Sequence, residues 1–98
     1  MDSLKLIELL SNANGACGFE DEVVSIAEQY VSDEGLGFVR HDCNLNVYIN
    51  EQVEHDKPVI MLDAHSDEVC FMVQAIKPNG TLNFLPLGGF APYTVPAH

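Results

Sequence analysis

From Val59 to Ile76 the chain reads VIMLDAHSDEVCFMVQAI, two apolar runs parted by one imidazole and three carboxylates. Each run has strand length. The first, within PVIMLDA, is continuously apolar, as in a strand covered on both faces. The second, EVCFMVQAI, is rich in β-branched and aromatic residues, which favour a pleated sheet. A chain with two such runs must build a sheet and cover it. It must also explain why Asp63, His65, Asp67 and Glu68 interrupt the apolar surface.

The cover is expected to come from the first third of the chain. Leu6, Ile7, Leu9, Leu10 and Ala13 have helical spacing, with Asp2 or Ser3 as the cap. NANGACG breaks that helix with two glycines. Val23, Ile26, Ala27, Tyr30 and Val31 then line one face of a second helix. Glu20, Asp21 and Glu22 fill its first turn, where the helix dipole favours anions, and Gly35 and Gly37 end it. Next the period becomes two. GFVRHD and NLNVYIN read as short strands, with Leu45, Val47 and Ile49 on one face. EQVEHDK is a polar loop. KPNG is an Asn-Gly turn joining EVCFMVQAI to a further strand, TLNFLPL. The order predicts an α/β fold, a mixed sheet flanked by helices. LGGFAPYTVPAH has little periodicity and is expected to be a connection onward rather than a docked closing element.

The totals narrow the function. The chain has 98 residues and a formal net charge of -11, with 15 acids against 4 Lys and Arg. Nucleic acid and anionic membrane surfaces both need clustered cations, so neither is an expected partner. There is no signal peptide pattern and no apolar run of the roughly 18 residues a membrane span needs. Cys17, Cys43 and Cys70 are an odd count without CxxC spacing, which suits reduced thiols in the cytoplasm. His41 and Cys43 lie close together, but two ligands do not make a structural zinc site.

His65-Ser66-Asp67 is the constellation with chemistry in it. In an extended segment residues i and i+2 share a side, so His65 and Asp67 can face one site. A metal-bound imidazole donates its second N–H to a carboxylate or carbonyl, and Asp67 can be that partner. The preceding run would bring His65 to the end of a strand, where open α/β sheets place their sites. The bland reading is a satisfied histidine at a strand end. Other chemistries fit less well. Asp67 and Glu68 are adjacent, so pleating would send them to opposite faces, and they cannot form a glycosidase pair about 5–9.5 Å apart. Asp63 can fall on the His65 side. Ser66 lacks a G-x-S-x-G elbow, and Cys70, in an apolar run, reads as a small core side chain.

The chain resembles the N-terminal part of the glutamyl and deblocking aminopeptidases, the tetrahedral aminopeptidase family, some of whose members carry the name endoglucanase. ANGACGFEDEV resembles the family's PGVSGFEDEV, and HDCNLNVYI its D-x-L-G-N-L-I. VIMLDAHSDEVCFMVQAI resembles its AHMDEIGFMV block, the most specific of these, and FLPLGGF its GGW turn. The matches occur in order and cover nearly all 98 residues.

The resemblance implies a dinuclear metallopeptidase. His65 would ligate one of two divalent ions, zinc or cobalt, and Asp67 would orient it as the catalytic carboxylate. The paired metals would activate a bridging water and polarise the scissile carbonyl. The general base and remaining ligands lie further along the family chain, so these 98 residues alone are expected to be inactive. Residues 1–98 would be the first half of the catalytic domain, ending near where the family's inserted β domain begins. Peptides would be the substrates, and the complete protein a homo-oligomer, a dodecamer in relatives. Glu68 matches the motif as a structural acid. Cys17 stands where the family has Ser, which removes an N-capping hydroxyl. Asn44 replaces Gly, Ser66 replaces Met and Cys70 replaces Gly, leaving His65 and Asp67 intact. A non-catalytic fragment or assembly module is the second reading. A related zinc carboxypeptidase or deacylase, the third, is disfavoured by GFEDEV and DEVCFMV.

Overall fold

The structure, a computed structural model, describes residues 1–42, 44–49 and 56–95. Helix α1 spans Ser3–Asn12. It begins where the Asp2 carboxylate accepts the Lys5 N–H at 2.8 Å, satisfying one of the first-turn amides that have no partner inside the helix. Helix α2 spans Asp21–Asp33. Its N-cap residue is Glu20, which makes no side-chain capping bond to the helix; its carboxylate instead accepts the Gly18 N–H at 2.8 Å. Cys17 is therefore three residues before the cap. A serine there would not be the N-cap residue, which corrects the expectation that Cys17 removes a capping hydroxyl. Asp21 and Glu22 supply the first-turn negative charge that the dipole favours.

Strands β1 (Gly37–His41) and β2 (Asn44–Tyr48) form an antiparallel hairpin. His41 pairs with Asn44, so the loop has two residues, and Asp42 takes φ 50°. Tight hairpin loops need positive φ at the first position, which Asp tolerates better than most residues. Both strands pack on α2, and α1 also packs on α2. Ala13, Val24 and Val31 are the buried apolar side chains among the described residues. They put the small core along α2.

Strands β3 (Cys70–Ile76) and β4 (Leu82–Leu87) form a second antiparallel hairpin, with an irregularity between Val73 and Ala75. Lys77–Gly80 turns the chain, with Gly80 N–H donating to the Lys77 carbonyl at 3.0 Å. Phe71 meets Phe84 at 4.4 Å between ring centres with the rings tilted by 57°, and meets Phe90 edge-on at 5.2 Å. Among the described elements β3 and β4 contact only each other. A short 3-10 turn, Pro92–Thr94, follows. The radius of gyration is 18.3 Å. A compact chain of this length has about 13 Å, so the hairpin extends away from the helical part.

The fold is α/β, and among the described residues the strands lie in two separate antiparallel pairs instead of one mixed sheet. The parallel pairing among the described residues is a single bridge, Ala16 to Glu68. PVIMLDA, expected as a covered strand, takes no regular structure, and Val59 through Leu62 are 72–89% exposed. The reason is backbone pairing. A central strand needs a ladder on each side, and among the described residues this run pairs with neither hairpin, although each hairpin keeps an open outer edge. Most of the EQVEHDK loop, and Cys43, lie outside the described residues. Among those described, no helix is long and apolar enough to cross a membrane.

Candidate functional site

The His65 segment is held from one side. Glu68 N–H donates to the Gly15 carbonyl at 2.7 Å, within the parallel bridge that joins Ala16 and Glu68. The loop that receives it is itself tied to α2. Asn14 donates from its backbone N–H (3.1 Å) and from Nδ2 (2.7 Å) to one Glu22 carboxylate oxygen. Helix α2 therefore fixes the loop, and the loop fixes residues 66–68.

Within the segment His65 Nδ1 lies 2.9 Å from the Asp67 backbone oxygen and 3.2 Å from Asp67 Oδ1. Both partners are acceptors, so a neutral ring places its hydrogen on Nδ1 and its lone pair on Nε2. The His65 side chain is 84% exposed, and Asp67 is partly buried. The ring thus presents Nε2 outward, with its orientation set by the residue two positions on. This is the arrangement in which an outer carboxylate or carbonyl orients a metal-binding imidazole.

A hollow of about 280 Å³ lies beside the ring, lined by Leu10, Gly15 and Val23 and by His65 through Glu68. A larger one, about 650 Å³, runs from His65 and Asp63 across Val24 to Leu45 on β2. Asp63 is exposed, and it shares that second hollow with His65 and Asp67. Pleating was expected to point Glu68 away from His65. Residues 58–67 form no strand, strand alternation does not govern them, and Glu68 lines the same hollow as His65. Among the described residues no three His, Cys, Asp or Glu side chains are grouped to hold a metal ion. The donors present fit one corner of a metal site, supplied by His65. Cys70 is half-buried at the start of β3, and His41 is exposed at the β1–β2 turn. Sequence reasoning missed Gly15, Asn14 and Glu22, because their contacts with each other and with residues 66–68 leave no local pattern.

Known proteins place this segment in context. A family model described as M42 glutamyl aminopeptidase matches residues 45–98. The glutamyl aminopeptidase of Lactococcus lactis subsp. cremoris (strain MG1363) is 55% identical over 38 residues, which are 39% of this chain and 11% of that protein. By those proportions the chain spans little more than a quarter of that relative's length. No solved structure matches it.

Proposed function

Since the chain belongs to the M42 glutamyl aminopeptidase family, we propose that it is a portion of a metal-dependent aminopeptidase that removes N-terminal residues from peptides. His65 is the metal donor in this reading, binding through Nε2. Asp67 is the carboxylate that holds the ring and keeps the hydrogen on Nδ1. The observation that supports it most is the His65–Asp67 contact, which frees Nε2 on an exposed ring. A divalent ion bound there, zinc or cobalt, supplies a Lewis acid for the scissile carbonyl and a more acidic water. One imidazole is far short of the ligands two ions require, so the remaining donors must come from elsewhere. The same reading assigns the complete protein to the cytoplasm and to a homo-oligomer.

The test is metal binding followed by calorimetry, with activity measured alongside. The protein should take up Zn²⁺ or Co²⁺ weakly and lose that uptake in His65→Ala. Asp67→Asn should weaken it by about 10- to 100-fold, the usual cost of losing the group that orients a ligand. Aminoacyl-nitroanilides should not be cleaved by these 98 residues alone. Cleavage by them, or metal uptake that ignores His65, refutes the assignment.

A further inference from the structure

We infer that Gly15 is a positioning residue for His65: the absence of a side chain there lets the loop of residues 14–16 dock against the His65–Glu68 segment and set the ring's contact with Asp67. The inference rests on the reading of His65 as a metal donor, and concerns how that donor is held. A Cβ placed on Gly15 would lie 3.1 Å from the Ser66 carbonyl oxygen and 3.0 Å from Val23 Cγ2. The first of these atoms belongs to the residue that follows His65. Glu68 N–H meets the Gly15 carbonyl at 2.7 Å on the same stretch. Residues 58–64, which lead into His65, have no regular structure, so the side facing residues 14–16 is where the segment is tied down. Glu22 completes the support by holding Asn14 through two hydrogen bonds.

The mechanism is steric. A methyl at position 15 must push the Ser66 carbonyl away by a few tenths of an ångström or tilt the loop. Either movement is passed to the two contacts that His65 Nδ1 makes with Asp67. When those contacts loosen, the neutral ring returns to the Nε2–H form that an unconstrained side chain favours in water. That hydrogen covers the lone pair a metal would use.

The experiment reads the His65 ring directly, in metal-free protein at a fixed pH where the imidazole is neutral. Long-range ¹H–¹⁵N correlation spectra distinguish the two tautomers by the shifts of the ring nitrogens. The parent protein should show Nδ1–H. Gly15→Ala should move both nitrogen shifts toward the averaged values of an exposed histidine. Glu22→Ala, an exposed change that leaves position 15 intact, should move them in the same direction. Gly37→Ala, where an added Cβ meets nothing within 4 Å, should leave them unchanged. Adding Val23→Ala to Gly15→Ala relieves the helix contact but not the carbonyl contact, so the shifts should stay displaced. Unchanged His65 shifts in a folded Gly15→Ala or Glu22→Ala protein overturn the inference. Recovery in the double variant also overturns it, because the effect would then be packing on α2. Zinc added to the parent protein tests the donor role separately: if the Nε2 resonance does not respond, that role fails whatever the tautomer results show.

Discussion

Replacing Arg40 with Met should remove about 2 kcal/mol of stability, and the figure can be assembled from its contacts. Arg40 projects from β1 toward α2. Its Nη1 donates to Glu28 Oε2 at 2.8 Å and to Ser25 Oγ at 3.2 Å, and its Nη2 reaches Asp21 Oδ1 at 3.1 Å. Its Nε donates to the Asp42 carbonyl at 3.1 Å, bracing the positive-φ residue of the β1–β2 turn. The Arg40 and Glu28 side chains are 27% and 33% exposed, whereas Asp21 is 82% exposed. A charge-assisted bond between half-buried partners contributes about 1.5 kcal/mol at its lower range. The exposed Asp21 pair adds no more than about 0.5 kcal/mol. The bond to the Asp42 carbonyl adds roughly 0.5–1 kcal/mol. Met keeps the stem's packing, so these polar terms are what the substitution removes. Glu28 can rehydrate once unpaired, which holds the total near about 2 kcal/mol instead of 3. For a domain of this size that corresponds to a fall of roughly 8–15 °C in melting temperature. Urea unfolding followed by circular dichroism should show a lower midpoint with an unchanged slope. Arg40→Lys should recover less than half of the loss, because an ammonium cannot reproduce the fork. Lys5→Met serves as the contrast. It removes a 2.7 Å pair with Glu8 whose partners are both more than half exposed, and should cost no more than about 0.5 kcal/mol. The reasoning fails if Arg40→Met lies within about 0.5 kcal/mol of the parent, or if Lys5→Met costs as much.

Three other substitutions probe the packing and the turns. Val24, 3% exposed on α2, should lose about 2 kcal/mol on truncation to Ala, whereas Ile60→Ser, at an exposed site, should shift stability by less than about 0.5 kcal/mol in the same urea assay. Gly80 has φ 83° with nothing within 4 Å of an added Cβ, so Gly80→Ala should cost about 1 kcal/mol from backbone strain alone, seen as faster amide exchange in β3 and β4.

What was legible in the sequence was local. The α1 cap at Asp2 or Ser3, the apolar face of α2, the four strands and the Asn-Gly turn between β3 and β4 follow from spacings of two to four residues and from turn residues, and the chain satisfies those preferences within a few neighbours. The strand ends agree with the expected segments to within a residue or two for the same reason. PVIMLDA was not legible, because an apolar run states only that a segment can be covered. Whether it becomes a strand depends on edges offered by other segments. Among the described residues β1 pairs with β2 and β3 with β4, and the run pairs with the open edge of neither. The departure from one mixed sheet has the same origin.

The candidate site outlived the failure of the strand that was meant to carry it. His65 and Asp67 were brought together on the argument that alternate residues of a strand share a face, yet no strand forms there. Their contact survives because a spacing of two is short enough to close through several backbone shapes. Here Nδ1 reaches both the backbone oxygen and a carboxylate oxygen of Asp67. A strand would have set the direction of the ring by pleating, and would have turned Glu68 away. In its absence that direction is set from outside the segment, by the bond from Glu68 to Gly15 and by the carboxylate of Glu22 behind it. The His65–Asp67 contact is therefore encoded within three residues, while on the inference drawn above its orientation depends on Gly15, some fifty residues earlier, whose role no spacing rule reveals.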